Sequence, residues 1–138
     1  MSRTNDELVG RMYTDFEQGD IISVLQALDD HVVWREAEHS PYDEGRPLVG
    51  RDEVLERIFG RLAAEWDAFT VTPFVFHTCG DVVIVEGRYS GRNLATDRML
   101  DAAFCHIWTL AHGRVVSFRQ YADTAHMRST AGVDALGR

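Results

Sequence analysis

The chain has 138 residues, of which 45% are hydrophobic and 26% are charged, and its formal net charge is −8. This length and composition predict one globular domain over residues 1–138 and exclude a disordered chain. The acidic balance argues against nucleic acid as a partner, because phosphate binding requires a cationic face, and the absence of Lys/Arg runs argues against an anionic membrane surface.

The first residues and the two cysteines indicate a compartment. No apolar run approaches the roughly 20 residues that span a bilayer. The polar start, MSRTNDELVG, lacks the apolar core of a signal peptide. Cys79 and Cys105 match neither a metal motif nor a disulfide framework. We therefore expect a cytoplasmic protein with reduced thiols.

Two helices are predicted at the beginning of the chain. Thr4 and Glu7 have the spacing of a capping box, and apolar residues at helical spacing follow, so a helix is expected over about 5–18. Gly19 suits the end of that helix. Asp20 suits the N-cap of a second, shorter helix with one apolar face.

An unusual concentration of ionisable residues follows the first predicted strand, which covers about 31–36. The side chains concerned are Arg35, Glu36, Glu38, His39, Asp43 and Glu44. Three interpretations are open: a solvated loop, a metal site, or the mouth of a pocket with a working carboxylate. The spacing matches no zinc motif and the groups share one loop, so we expect no metal here.

The second half of the chain changes from a helical to a strand pattern. A third helix after Gly50 carries an apolar stripe from Val54 to Trp66. Four strands rich in β-branched and aromatic residues follow, and their short turns predict antiparallel neighbours. Pro73 inside the first of them indicates an edge strand or a bulge. The order predicts an α+β fold with three helices on one antiparallel sheet.

The order and spacing of four segments resemble the NTF2-like superfamily, whose members include ketosteroid isomerase, scytalone dehydratase and the SnoaL-type polyketide cyclases. The segments are YTDFEQGDIISVLQALDDHVVW, GRDEVLERIFGRL, GDVVIVEGRYSG and FCHIWTLAHGRVVSFRQYADTA. The resemblance implies an NTF2-like cone, with three N-terminal helices packed on a curved, mostly antiparallel sheet and a pocket between them. Members are often homodimers. The fold also hosts binding proteins and structural adaptors, so it does not decide the function.

Strand alternation divides the last hairpin into two faces if His112-Gly113 is a two-residue loop. One predicted face carries Asp101, Ala103, Cys105, Ile107, Val116, Phe118 and Gln120, and the other carries Phe104, His106, Trp108, Arg119 and Tyr121. The residues alone leave open which face lines the pocket. The resemblance to ketosteroid isomerase implies that it is the Cys105/Gln120 face. The aromatic face is then expected to form a homodimer interface.

Glu36 is the strongest candidate for a catalytic group. It shares a strand face with Trp34, and a gapless count places it where the isomerase has its general-base carboxylate. A carboxylate beside apolar walls has a raised pKa and can take a proton from a carbon next to a carbonyl. At the isomerase's two oxyanion positions this chain has Met12 and Cys105, so a proton donor has to come from His39, Tyr42, Tyr89 or Asp101.

These observations predict a cofactor-independent isomerase, dehydratase or cyclase that acts on an apolar, carbonyl-bearing substrate. Glu36 and Asp101 are the predicted catalytic residues. The predicted ligand-binding residues are Trp34, His39, Tyr42, Tyr89, Cys105, Phe118 and Gln120. The alternatives are a non-catalytic binding protein for an apolar small ligand, or a dimeric interaction module.

Overall fold

A computed structural model describes residues 3–133. Helix α1 (Asn5–Glu17) follows Thr4 as predicted, but the Thr4 side chain makes no capping hydrogen bond. Helix α2 (Ile21–Ala27) is capped by Asp20, whose carboxylate accepts a hydrogen bond of 3.2 Å from the Ser23 amide. The predicted starts of both helices are confirmed, whereas the capping box at the first is not formed.

The predicted third helix is a continuous helical segment that changes its winding. It consists of α3 (Arg51–Val54), a π-helical turn over Leu55–Phe59, and α4 (Gly60–Glu65). Ile58 and Phe59, both in the π-helical turn, are buried. Both side chains therefore pack into the interior of the protein from this turn.

The strands form one six-stranded sheet in the order β2-β1-β6-β5-β4-β3. Their bounds are β1 Leu28–Arg35, β2 Leu48–Val49, β3 Trp66–Cys79, β4 Val82–Asn93, β5 Met99–Ala111 and β6 Arg114–Ala122. Strands β1 and β6 are parallel, and all the other pairs are antiparallel. Helix α5 (Thr124–Ala131) follows β6 and is capped by Asp123. The α+β architecture is as predicted.

Two local features of the sheet match the sequence signals. Strand β3 lies at one edge, and its pairing with β4 shifts register between Pro73 and Val75, where the proline cannot donate to a ladder. His112 and Gly113 form the two-residue turn between β5 and β6, with φ angles of 53° and 75°. Leu110 accordingly lies opposite Val115.

The predicted pairing further along this hairpin is wrong, because β6 contains a bulge. Thr109 lies opposite Ser117, so Val116 is an extra residue on β6. Beyond the bulge His106 pairs with Gln120, where the simple alternation predicted Cys105. One inserted residue thereby exchanges the two faces of β5 relative to β6.

The helices cover the sheet face that carries the even-numbered residues of β5. The buried residues of that strand are Leu100, Ala102, Phe104, His106, Trp108 and Leu110. Phe104 and Trp108 are therefore core residues and do not form the predicted interface, whereas Tyr121 is 49% exposed on the outer face. None of the helices within residues 3–133 has the length and apolarity needed to cross a membrane.

Candidate functional site

A cavity of about 80 Å³ lies between the helices and the sheet. Helix α1, the π-helical turn and α5 contribute apolar walls to it, through residues such as Phe16, Phe59 and Met127. Six side chains with titratable or hydrogen-bonding groups interrupt these walls: Tyr13, Glu36, Tyr42, Tyr89, His106 and Gln120. Among residues 3–133, the chemistry of the site is confined to these groups and the three indole N–H groups beside them.

Glu36 lines the cavity because strand alternation continues one residue past β1. Trp34 is buried and shares the inward side with Glu36, whereas Arg35 between them is exposed. The Trp34 indole nitrogen donates a hydrogen bond of 3.0 Å to Glu36 Oε2. The Trp34 ring also stacks on Phe118, with ring centroids 3.9 Å apart. The indole N–H thus holds the carboxylate at an aromatic wall.

The surroundings of Glu36 disfavour its charged form. Burial raises the pKa of Glu36 from 4.5 to about 7, and the negative charge of Asp43 acts in the same direction. Hydrogen bonds from Trp34 and Ser40 favour the carboxylate and limit the rise. With a pKa near neutrality the group can both accept and return a proton, which is the requirement for a general base.

Arg88 on β4 and Arg119 on β6 do not offset this effect. Arg88 forms an ion pair with Asp101, with 2.8 Å between Nε and Oδ1, on the exposed side of the sheet. Arg119 is exposed and lies over the ring of Tyr121. Neither guanidinium is among the groups that set the pKa of Glu36.

Three buried side chains form a hydrogen-bonded chain along the cavity wall. The Tyr13 hydroxyl lies 2.7 Å from His106 Nδ1, and the Tyr89 hydroxyl lies 2.5 Å from His106 Nε2. Burial lowers the pKa of His106 to about 3, so its imidazole is neutral at physiological pH. Burial also raises the pKa of both tyrosines, so both hydroxyls keep their protons.

Each end of this chain is held by a further donor. Trp108 Nε1 donates to the Tyr13 hydroxyl at 2.9 Å, and Gln120 Nε2 donates to the Tyr89 hydroxyl at 2.7 Å. The backbone amide of Ala37 donates to Gln120 Oε1 at 3.1 Å. Since Ala37 can only donate, this bond fixes the orientation of the Gln120 amide and makes Tyr89 an acceptor from it.

The third cavity tyrosine has a different environment. Trp66 Nε1 donates to the Tyr42 hydroxyl at 2.8 Å, and the hydroxyl in turn donates to Glu65 Oε1 at 3.0 Å. The guanidinium of Arg61 lies 4.2 Å from the centre of the Tyr42 ring. The Tyr42 hydroxyl proton is therefore already used in a hydrogen bond to Glu65. All three tryptophans of the chain thus donate an indole N–H to a polar group of the cavity.

The structure brings together six of the nine side chains predicted for the site, namely Trp34, Glu36, Tyr42, Tyr89, Phe118 and Gln120. The other three lie outside the cavity. Asp101 and Cys105 are on the outer face of β5, because the bulge at Val116 reverses the predicted alternation. His39 is exposed in the loop after β1, with a φ angle of 69°. These placements correct the prediction for Asp101, Cys105 and His39.

Sequence reasoning missed the centre of the hydrogen-bonded chain. The sequence prediction places His106 on the aromatic face that was expected to form a homodimer interface, and it does not include Tyr13 among the site residues. The available signal was the alternation of Phe104, His106 and Trp108 on β5, since a histidine between two large aromatic residues suits a buried face. That signal did not show which face of the hairpin is buried, because the residues on the opposite face are also largely apolar.

Comparisons with known proteins agree with this architecture. A family model described as SnoaL-like domain matches residues 9–118. A search of curated proteins found no match. An NTF2-like protein from Burkholderia thailandensis E264 has a similar structure, with a TM-score of 0.87 and 28% identity over 93% of this chain and 97% of that chain.

Two more distant structures share the fold. TerC, which was co-crystallised with polyporic acid, gives a TM-score of 0.82 at 22% identity and covers 93% of this chain and 98% of its own. IdmH from Streptomyces antibioticus, a candidate polyketide cyclase, gives 0.77 at 18% identity over 95% of this chain and 100% of its own. With the family model matching most of its length, the chain belongs to the SnoaL-like family of the NTF2-like superfamily.

Proposed function

We propose that the protein is a small-molecule enzyme that transfers a proton at a carbon next to the carbonyl of an apolar substrate, without a cofactor. The observation that carries this proposal is the position of Glu36, a carboxylate with a pKa of about 7 in a largely apolar cavity. An exposed carboxylate with an ordinary pKa is a much weaker base towards carbon.

The proposed step balances with the groups at hand. Glu36 Oε takes the proton from the α-carbon, and the C–H electron pair forms the C=C bond of an enolate whose negative charge rests on oxygen. Glu36 then returns the proton. Return of the proton to a different carbon gives isomerisation. Its transfer to a β-hydroxyl, which then leaves as water, gives dehydration. Attack of the enolate carbon on a second carbonyl, followed by transfer of the proton to the alkoxide that forms, gives cyclisation. IdmH, which shares the fold, is a candidate for the last of these reactions.

The step can be tested before the substrate is known. We expect the protein to catalyse exchange of the α-hydrogens of 2-tetralone, an apolar ketone, in D2O, measured as loss of the proton NMR signal. The rate should rise as the pH passes through about 7, because Glu36 has to be ionised. Glu36→Gln keeps the shape of the side chain, removes the base and should reduce exchange to the rate in buffer.

Glu38→Gln is the matched control, because it makes the same chemical change at an exposed position two residues away. It should leave the exchange rate unchanged. Full exchange activity in Glu36→Gln, or equal losses in both variants, would contradict Glu36 as the base.

A second function, binding of an apolar ligand without turnover, is favoured by the aromatic walls of the cavity. Trp34, Phe118 and Trp108 are mutually packed and all line it. Under this alternative 2-tetralone binds equally well to the native protein and to Glu36→Gln, and neither protein accelerates exchange. The same assay therefore separates the two functions.

A further inference from the structure

The proton count of the Tyr13–His106–Tyr89 chain limits what the cavity can recognise. A neutral imidazole has one N–H donor and one acceptor nitrogen, and each tyrosine hydroxyl has one proton. Trp108 and Gln120 can only donate through the nitrogens that contact these hydroxyls. Each tyrosine therefore already accepts one hydrogen bond from outside the chain, and its own proton is left for His106 or for another group.

His106 can accept only one of the two hydroxyl protons. If Nδ1 is the acceptor, Tyr13 donates to it, Nε2–H donates to Tyr89, and the Tyr89 proton has no acceptor. If Nε2 is the acceptor, Tyr89 donates to it, Nδ1–H donates to Tyr13, and the Tyr13 proton has none. Within residues 3–133, each hydroxyl makes hydrogen bonds only with His106 and its outside donor, so one proton stays free in either tautomer.

We propose that the Tyr13–His106–Tyr89 hydrogen-bonded chain presents a single free hydroxyl proton to the cavity, where this proton binds the carbonyl oxygen of an apolar ligand. The tautomer of His106 determines which of the two tyrosines presents the proton. Both tyrosines line the cavity, and Glu36 is close enough to Tyr89 for its charge to raise the pKa of that hydroxyl. A free donor in an apolar site favours a ligand with one acceptor oxygen, because an unmatched O–H loses its hydrogen bonds to water. In this role His106 is a positioning residue and the presenting tyrosine contacts the ligand.

The inference rests on the proposed function only for the choice of a carbonyl as the acceptor. The donor count itself does not involve Glu36. The Glu36→Gln variant leaves every hydrogen bond of the chain in place, so loss of α-hydrogen exchange and loss of ketone recognition are separate outcomes.

The first test measures the protonation of His106 in the native protein by nitrogen-15 NMR. We expect one protonated and one unprotonated ring nitrogen from pH 6 to pH 8. Protonation of both nitrogens would overturn the count, since both tyrosines would then be acceptors and two protons would be free. This measurement needs no variant and does not depend on whether a substituted protein folds.

The second test compares binding of acetophenone and α-methylstyrene, two ligands of similar shape that differ in an oxygen and a CH2 group. The ratio of their affinities should fall about 3- to 10-fold in the double variant Tyr13→Phe/Tyr89→Phe, which has no donor. Each single variant keeps one tautomer with a free proton and should keep the ratio within about twofold. Tyr121→Phe makes the same change on the outer face and should have no effect.

This non-additive pattern distinguishes a shared donor from a fixed one. Complete loss of the preference in one single variant would overturn the exchange between tyrosines, and an unchanged ratio in the folded double variant would overturn the donor altogether. Failure of the native protein to bind acetophenone would count against a carbonyl ligand. Folding of each variant is checked by circular dichroism.

Discussion

At the scale of the residue, burial of Glu36 lowers the stability of the folded protein and also gives the carboxylate the raised pKa that suits a general base. An ionised carboxylate among aromatic side chains loses most of its hydration, and hydrogen bonds from Trp34 and Ser40 replace only part of it. The negative charge of Asp43 further disfavours the anion. The raised pKa measures the free-energy cost of burying the ionised carboxylate. This cost destabilises the folded protein whenever Glu36 is ionised.

The pH dependence of stability should report this cost. The pKa of Glu36 is raised in the folded protein, so between about pH 4.5 and pH 7 the unfolded chain ionises first and stability falls as the pH rises. The full penalty, on the order of 3 kcal/mol, is present above pH 7 and absent below pH 4.5. We expect Glu36→Gln to be more stable than the native protein at pH 8 by up to this amount, and equally stable at pH 4.

Urea denaturation at the two pH values measures the difference. Other titrating groups are common to both proteins and cancel in the comparison, and Glu38→Gln, which changes an exposed carboxylate, should show no such dependence. A Glu36→Gln variant with the same advantage at pH 4 as at pH 8 would show that burial of the charge is not the cause.

At the scale of the element, the close approach of β3, β4 and β5 positions the hydrogen-bonded chain. Gly87 on β4 pairs with Phe104 on β5, whose ring stacks on His106 with centroids 3.9 Å apart. A Cβ atom at Gly87 would collide with the carbonyl oxygen of Thr72 on β3 and lie 2.5 Å from Phe104 Cζ. The missing side chain is therefore what allows the Phe104 ring to lie beneath the imidazole.

Gly87→Ala should accordingly destabilise the protein by roughly 1–3 kcal/mol, the usual cost of overpacking a core. The displaced Phe104 ring should also change the NMR signals of His106. Gly10→Ala is the matched control, because a Cβ atom there has no neighbour within 4 Å and lies in helix α1. That change should be neutral or slightly stabilising. Equal thermal stability of the two variants would contradict the packing argument.

At the scale of the whole molecule, the outer face of the sheet is less aromatic than the sequence predicted. Phe104 and Trp108 lie in the core, and of the three predicted aromatic residues only Tyr121 is exposed. Ile84 and Ile107 pair across β4 and β5 on this face and are partly exposed. The homodimer therefore stays a prediction that rests on a smaller apolar surface.

If the outer face forms a dimer, sedimentation at micromolar concentration should give twice the chain mass of 15.6 kDa. Ile107→Glu places a charge in the centre of the face and should shift the mass to 15.6 kDa, because an unpaired charge is costly to bury in an interface. Gln18→Glu adds the same charge at an exposed site after α1 and should not. A native protein that sediments as a monomer would rule the dimer out.

Features that depend on neighbouring residues could be predicted from the sequence. The cap at Asp20, the turn at His112-Gly113, the irregularity at Pro73 and the inward position of Glu36 each follow from a short-range rule. The order of these elements also carried the resemblance to the family. None of these inferences required the pairing of distant residues.

The tertiary structure alone decided which face of β5 lines the cavity and which groups meet there. The bulge at Val116 leaves no clear mark in the sequence, because both faces of the hairpin are apolar, and a shift of one residue exchanges them. Tyr13 and His106 are 93 positions apart, and Tyr89 and His106 are 17 apart. The first contact depends on how α1 packs on the sheet, and the second depends on the register between β4 and β5. Hydrogen bonds between residues so distant in the chain have no local pattern from which they can be predicted.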